Sequence, residues 1–217
     1  MAEAAIDNDV LLKSVCYGFF EPLIAAMPAG AHAPGLLGTA RFVLPKLLRK
    51  RPPRRLVQAQ VELDQALQTL EVLEPTDAES ALAAQLEFEA QRQALPVHAG
   101  ECLLVAIVLT RNLQWLLTGD RAAIEGLGRM VFPAGLDSTL LHGRIACFEQ
   151  AICRLMSAQG AEAIRVAVCA EREVDTNLRT CFSCASPEVS EASWREGLDS
   201  HIRHLRTLSG ALLIAND

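Results

Sequence analysis

The sequence has no long hydrophobic run. Although 51% of the 217 residues are hydrophobic, no apolar stretch approaches the roughly 20 residues that a membrane-spanning helix needs. The best candidate, Cys102 to Leu109, is bounded by Glu101 on one side and by Thr110 and Arg111 on the other. The acidic opening, MAEAAID, lacks the basic n-region of a signal peptide. Together these absences predict a cytoplasmic protein without membrane partners. Aromatic residues make up only 5% of the chain, so a platform for stacking single-stranded bases is not evident. The seven cysteines, an odd number scattered through apolar segments such as RIACFEQAICRL, lack the spacing of a disulfide framework and predict reduced core thiols.

Acidic residues are missing altogether between Glu21 and Glu62. The formal net charge of −6 does not by itself point to a polyanion partner, but Arg41, Lys46, Arg49, Lys50, Arg51, Arg54 and Arg55 crowd that acid-free interval. Such a cluster either meets phosphates or is a solvated basic loop.

The length suits one domain with an extension and is enough to bury a sizeable core. EAAID reads as a first strand ending at Asp7, and VLLKSVCYGFF as a helix. EPLIAAMPAGAHAPGLLG, broken by Pro22, Pro28 and Pro34, reads as loops and short helical turns. The next clear helix follows Pro53, where Leu56, Leu63, Leu67 and Leu70 fall near one face. LEVLEP is a short strand. TDAESALAAQLEFEAQRQAL opens with Thr76 and Asp77 as caps and Glu79 as the box partner. HAGECLLVAIVLTRN is a largely buried helix, LQWLLTGD a strand, and RAAIEGL the start of another helix. Helices alternating with short apolar strands imply an α/β fold with a parallel sheet. Beyond about residue 136 the texture changes: STLLHGRIACFEQAICRLMSAQG reads as one long amphipathic helix, AIRVAVCA as a strand, and EASWREGLDSHIRHLRTL as a last helix. The expected division is residues 1–135, and a C-terminal α/β extension, residues 136–217, packed on them.

Several acids fall at comparable places. Asp7 and Asp9 follow the first strand, Glu101 begins a buried helix, and Asp120 follows a later strand. Carboxyl ends of parallel strands share one edge, where ligands bind, so acids distant in sequence can converge there. Converging carboxylates raise one another's pKa unless a cation neutralises them. An oxygen-only set suits Mg²⁺ or Mn²⁺ and phosphate ester chemistry. Singly, each of these acids reads equally as a helix cap or a first-turn dipole partner.

IDNDVLL (6–12) and AGECLLVAIVLTRNLQWLLTGDRAAI (99–124) resemble the first-strand motif and the helix, strand and last acidic motif of the PIN-domain metal-dependent nucleases. The resemblance covers roughly residues 1–130, and its second stretch is the more specific. It implies a PIN-like three-layer α/β/α fold with a central parallel sheet, a cluster of carboxylates binding Mg²⁺ or Mn²⁺, and hydrolysis of phosphodiesters, RNA more than DNA. Carried over singly, Asp7, Glu101 and Asp120 are the metal ligands, Thr118 steadies a water or carboxylate, and Asp9 stands where the family often has Asn or Ser. The second acid of the pattern falls to Glu62, with Glu21 as its rival. Phosphate contacts fall to the basic segment and to Arg121. The resemblance also suggests a toxin-like or defence-associated role, with an inhibitory partner protein; separately, the amphipathic Leu140–Met156 segment, carrying Cys147, Phe148, Ile152 and Leu155, reads equally as an oligomer interface or as core.

Three other readings stand beside it. One is a PIN-like module that binds without cutting. DNDVL also resembles the haloacid-dehalogenase phosphatase motif, although TGDRAAI offers one acid where that family needs a final pair. Cys181, Cys184, His201 and His204 spell a Cys₂His₂ zinc set with unfamiliar spacing; Asp175 is a cap, and Trp115 and Trp194 are packing residues.

Overall fold

The computed structural model describes residues 2–28, 33–186 and 188–216. Five short strands, β1 (Ala4–Ile6), β2 (Gly35–Leu37), β3 (Glu71–Leu73), β4 (Trp115–Thr118) and β5 (Ile145–Cys147), pair in the order β3-β2-β1-β4-β5. Every pairing is parallel. Strands of three or four residues suffice because the crossover helices cover both faces of the sheet. Those helices are α1 (Asn8–Tyr17), α2 (Phe20–Ala26), α3 (Ala40–Lys50), α4 (Leu56–Thr69), α5 (Asp77–Arg92), α6 (Ala99–Thr110), α7 (Arg121–Arg129), α8 (Phe148–Gln159), α9 (Ala161–Ala170), α10 (Thr176–Cys181) and α11 (Glu191–Ser209).

Side-chain alternation along the strands feeds two cores. Ala4 and Ile6 join a cluster with α1 to α4 and α8 to α10, while Ala5 between them joins α5, α6 and α7 on the other face. Trp115 and Leu117 likewise separate from Leu116. The result is a three-layer α/β/α arrangement. Helix α6 is enclosed almost all round, with Cys102, Val105, Ala106, Ile107 and Val108 fully buried; each such Val or Ile stabilises the fold by roughly 1.5–3 kcal/mol relative to exposure. Helix α11 spans both cores, with Trp194 and Leu198 in the first and Ile202 and Leu205 in the second.

Sequence and structure part company chiefly in the C-terminal third. STLLHGRIACFEQAICRLMSAQG is not one helix: it divides into a 3-10 turn (Ser138–Leu141), β5 and α8. Strand β5 pairs with β4, Leu116 opposite Ile145, so residues 136–217 supply a strand of the central sheet rather than only a packed extension. AIRVAVCA is helix α9, not a strand. Leu213 bridges Ile145, and the Ile145 N–H and carbonyl bond Leu212 and Ile214 at 2.9 and 2.8 Å, which covers the outer edge of β5. Besides β5, the elements α3, α10 and β2 were hidden from the sequence, and the loop reading of residues 29–32 lies outside the described residues. Trp115 and Trp194 are buried, as are Cys147, Phe148, Ile152 and Leu155 of the segment proposed as an oligomer surface.

The cysteine reading also needs correction. Cys169 and Cys184 form a disulfide, because α9 runs back past the turn after α10. Five cysteines remain free thiols. With Cys184 bonded to Cys169, the Cys181, Cys184, His201 and His204 zinc set is not formed.

Candidate active site

The strand order places β1 beside β4, while the chain runs outward from β1 through β2 to β3 on one side and through β4 to β5 on the other. The crevice at such a reversal, outside the carboxyl ends of the strands, is where open α/β sheets bind ligands. Ile6 is in register with Leu117, and the Asp7 N–H continues the ladder to the Leu117 carbonyl at 2.9 Å. Asp7 and Thr118 therefore leave the sheet together. The Thr118 hydroxyl donates to Asp7 Oδ2 at 3.0 Å and accepts the Asp120 N–H at 3.2 Å, so one buried hydroxyl ties the ends of both strands.

Asp7 is the N-cap residue of α1, yet its side chain makes no capping hydrogen bond. Its carboxyl is pushed up to about 6, first by burial, then by the charges of Asp9 and, less strongly, Glu101; the Thr118 hydroxyl and the Asn8 backbone N–H pull the other way. Asp9 lies against Gly119 so closely that a Cβ there would stand 2.3 Å from Asp9 Oδ2. A side chain at this position of the TGD triplet would therefore displace the end of the Asp9 side chain. Asp120 caps α7, its Oδ1 accepting the Ala123 N–H at 2.9 Å. Glu101 closes a capping box at the start of α6 by accepting the His98 N–H at 3.0 Å.

A lysine absent from the sequence-based list sits among these acids. Lys13 Nζ is 2.6 Å from Asp9 Oδ2 and 2.7 Å from Asp175 Oδ2, and 5.6 Å from the Phe148 ring centroid. Burial opposes its charge, but Asp9 and Asp175 outweigh that and hold the ammonium protonated. The i,i+4 spacing from Asp9 to Lys13 was a signal in the sequence; the approach of Asp175, which caps α10, had none beyond its cap-like position.

The remaining candidates divide. Glu62 does not join the crevice: it pairs with Arg55, whose guanidinium also donates to the Tyr17 carbonyl at the far end of α1. Glu21 lines a small depression with Glu62 and Gly18 at that same end. Arg55 is therefore occupied in structure, and Arg121 faces the buried carboxylate of Glu149 at 3.8 Å. Arg41, Lys46, Arg49 and Lys50 lie exposed on α3, with Arg51 and Arg54 exposed just beyond it. Arg51, Arg54 and Arg172 line a cleft of 490 Å³ together with Asp9 and Lys13, which brings the end of the basic segment to Asp9, while Asp7, Glu101 and Asp120 are not among its lining residues.

The donor chemistry around Asp7 fits a hard divalent cation: the carboxylates of Asp9 and Glu101 are close enough to raise that of Asp7, and the buried Asn8 Oδ1 has no hydrogen-bond partner among the described residues. The arrangement is not a ready cage. Among the described residues, no group of three or more His, Cys, Asp or Glu side chains is gathered to hold a metal, and one oxygen of Glu101 is engaged in its capping box. No helix among the described residues is long and apolar enough to cross a membrane. Comparison with protein-family models, with curated proteins and with solved structures finds no match to this chain.

Proposed function

We propose that the chain is a PIN-like, Mg²⁺- or Mn²⁺-dependent nuclease that hydrolyses phosphodiester bonds, preferentially in RNA. The observation that carries this reading is the Asp7 carboxyl at the topological switch point, tied by the Thr118 hydroxyl to the backbone N–H of Asp120 and pushed up to about 6 by burial and by the charges of Asp9 and Glu101. Such a site is short of positive charge, and a phosphodiester beside it needs positive charge too.

The residues divide the work. Asp7, Glu101 and Asp120 would hold the cation, which when bound supplies Lewis acidity toward water and toward the leaving oxygen. Thr118 fixes the orientation of the Asp7 carboxylate. Lys13 neutralises Asp9, and Gly119 leaves the space in which Asp9 lies. Arg51, Arg54 and Arg172 on the cleft would hold the backbone phosphates, contacts that position a strand without reading its sequence.

A second reading, binding without cleavage, draws on a specific observation: Lys13 already compensates two carboxylates, and Asp120 and Glu101 serve as caps. One experiment separates the two. Labelled RNAs and single-stranded DNAs are incubated with Mn²⁺ and the wild type, Asp7→Asn or Asp120→Asn. The nuclease reading expects metal-dependent cuts from the wild type alone, with a melting temperature that Mn²⁺ raises only in the wild type. Intact substrates and an unmoved melting temperature in all three proteins leave the binding module standing.

A further inference from the structure

The disulfide closes a strap that touches the candidate site twice. Cys169 lies in the last turn of α9 and Cys184 follows α10, with a sequence separation of 15, and both are half-buried against the first core. Two carboxylates inside the strap reach out of it. The buried Glu171 accepts the backbone N–H groups of Arg54 and Arg55, each at 2.8 Å. These stand at the start of α4, where helix geometry leaves donors without partners. Asp175 accepts from Lys13 at 2.7 Å, while its Oδ1 accepts the Leu178 N–H at 2.9 Å. One strap therefore fixes the arginine-bearing rim on one side and the lysine that faces Asp9 on the other. Glu171, Arg172, Glu173 and Val174 form a wall of the 490 Å³ cleft that Asp9 and Lys13 line opposite.

The other thiols are poor competitors for exchange. Cys102 is fully buried, and burial pushes Cys16 and Cys153 up to about 12 and Cys181 up to about 11, and Cys147 higher still. Protonated thiols at neutral pH are weak nucleophiles, which confines redox chemistry to the bonded pair.

We propose that Cys169–Cys184 is a thiol–disulfide exchange site whose state sets the geometry of the cleft. The oxidised strap holds Glu171 on the Arg54 and Arg55 amides and Asp175 on Lys13; the reduced strap releases both. The reductant is a dithiol. One of its thiolates attacks a cystine sulfur, the S–S bond breaks, and the departing cysteine leaves as a thiolate that takes up a proton. The second dithiol sulfur then displaces the other cysteine from the mixed disulfide, so two electrons pass to the pair and the reductant ends as a cyclic disulfide. In a reducing compartment such a bond is transient and acts as a sensor rather than as a permanent brace. The consequence for cleavage rests on the nuclease reading; the consequence for the strap does not.

The test follows amide hydrogen exchange at Arg54 and Arg55 in the whole protein, air-oxidised and after dithiothreitol, beside a denatured thiol count and the RNA assay. Reduction should raise the count from five to seven, speed exchange at both amides about ten-fold, and lower the melting temperature by about 6–12 °C. Reoxidation should reverse all three, and Cys169→Ser/Cys184→Ser should behave as reduced protein and ignore the dithiol. Should that variant not fold, the wild type before and after reduction carries the same comparison. The proposal is overturned by a count of seven before any reductant, or by amide exchange that stays constant while the count rises. Amides that respond in a protein that cuts nothing would sink the nuclease reading alone; cutting with unresponsive amides would sink the strap alone.

Discussion

Asp7 has a carboxyl that folding makes harder to ionise, and the sign of the effect decides what its removal does. Its folded pKa, about 6, lies above the ordinary value of 3.8, so the native state binds this proton more tightly than the unfolded chain. The group's contribution to stability is full below about pH 4 and is lost as pH rises through 6. Asp7→Asn should therefore raise the unfolding free energy at pH 8 by about 1–3 kcal/mol while abolishing cleavage, and the gain should shrink toward zero at pH 4. Urea unfolding of both proteins at the two pH values measures it; a variant equally destabilised at both would mean that the Thr118 bond outweighs the desolvation. At this scale the sequence was legible where chemistry is local. Asp7, Asp9 and Asp120 sit at strand ends that the apolar pattern locates, and Lys13 stands four residues after Asp9. Glu62 was assigned to the wrong place because a helical acid carries no sign of which end of its neighbour it will meet, and here it meets Arg55 beside Tyr17.

Helices α5 and α6 are joined by a buried ion pair. Glu79 is 2% exposed, takes Arg111 Nε at 2.7 Å on one oxygen and a terminal guanidinium nitrogen at 2.8 Å on the other, accepts from the Thr110 hydroxyl at 2.8 Å, and closes the capping box with Thr76. Arg111 and these other donors hold its carboxyl far below the usual range against the opposing effect of burial. A depressed carboxylate stabilises above its unfolded value, 4.5, and that stability drains away as the pH falls below it. Glu79→Gln should cost about 1.5–3 kcal/mol at pH 7, since it removes the charge-assisted bonds to Arg111, whose guanidinium keeps the Glu74 carbonyl, and the difference from wild type should narrow on acidification; thermal melts at pH 7 and pH 3.5 test both. Only the capping box was readable in advance. In AIRVAVCA, Ile164, Val166 and Val168 alternate like a strand, but Val166 is 58% exposed and Ala161, Ile164 and Val168 bury one helical face. Helix α3 was obscured by Pro45 inside it, which normally argues against a helix interior. Strand β2 has only three residues, too few for any period to show.

At the scale of the whole molecule, the proposed function would have a chain of net charge −6 hold a polyanion. Fold class followed from alternating helices and apolar strands, whereas β5 stayed hidden inside an apparent helix because its three residues run directly into α8. The covering of its edge by residues 212–214 had no local signal at all. Charge has the opposite character: the acid-free interval was visible at once, but its partition was not. Arg55 turned inward, while Arg51 and Arg54 reached the cleft with Arg172, whose position depends on the strap between α9 and α10. If, on the nuclease reading, the cleft arginines meet phosphates, binding of single-stranded RNA should weaken with salt by about 0.7 in log–log slope for each phosphate neutralised. Removing Arg51 and Arg54 together should flatten that slope by about 1.4, measured by fluorescence anisotropy in the Asp7→Asn background so that the strand stays whole. Lys46→Ala/Lys50→Ala on α3 is the matched comparison. A slope that flattens only in the α3 pair would move the backbone contact out of the cleft and onto the outer helix, leaving Arg51 and Arg54 without a role in holding RNA.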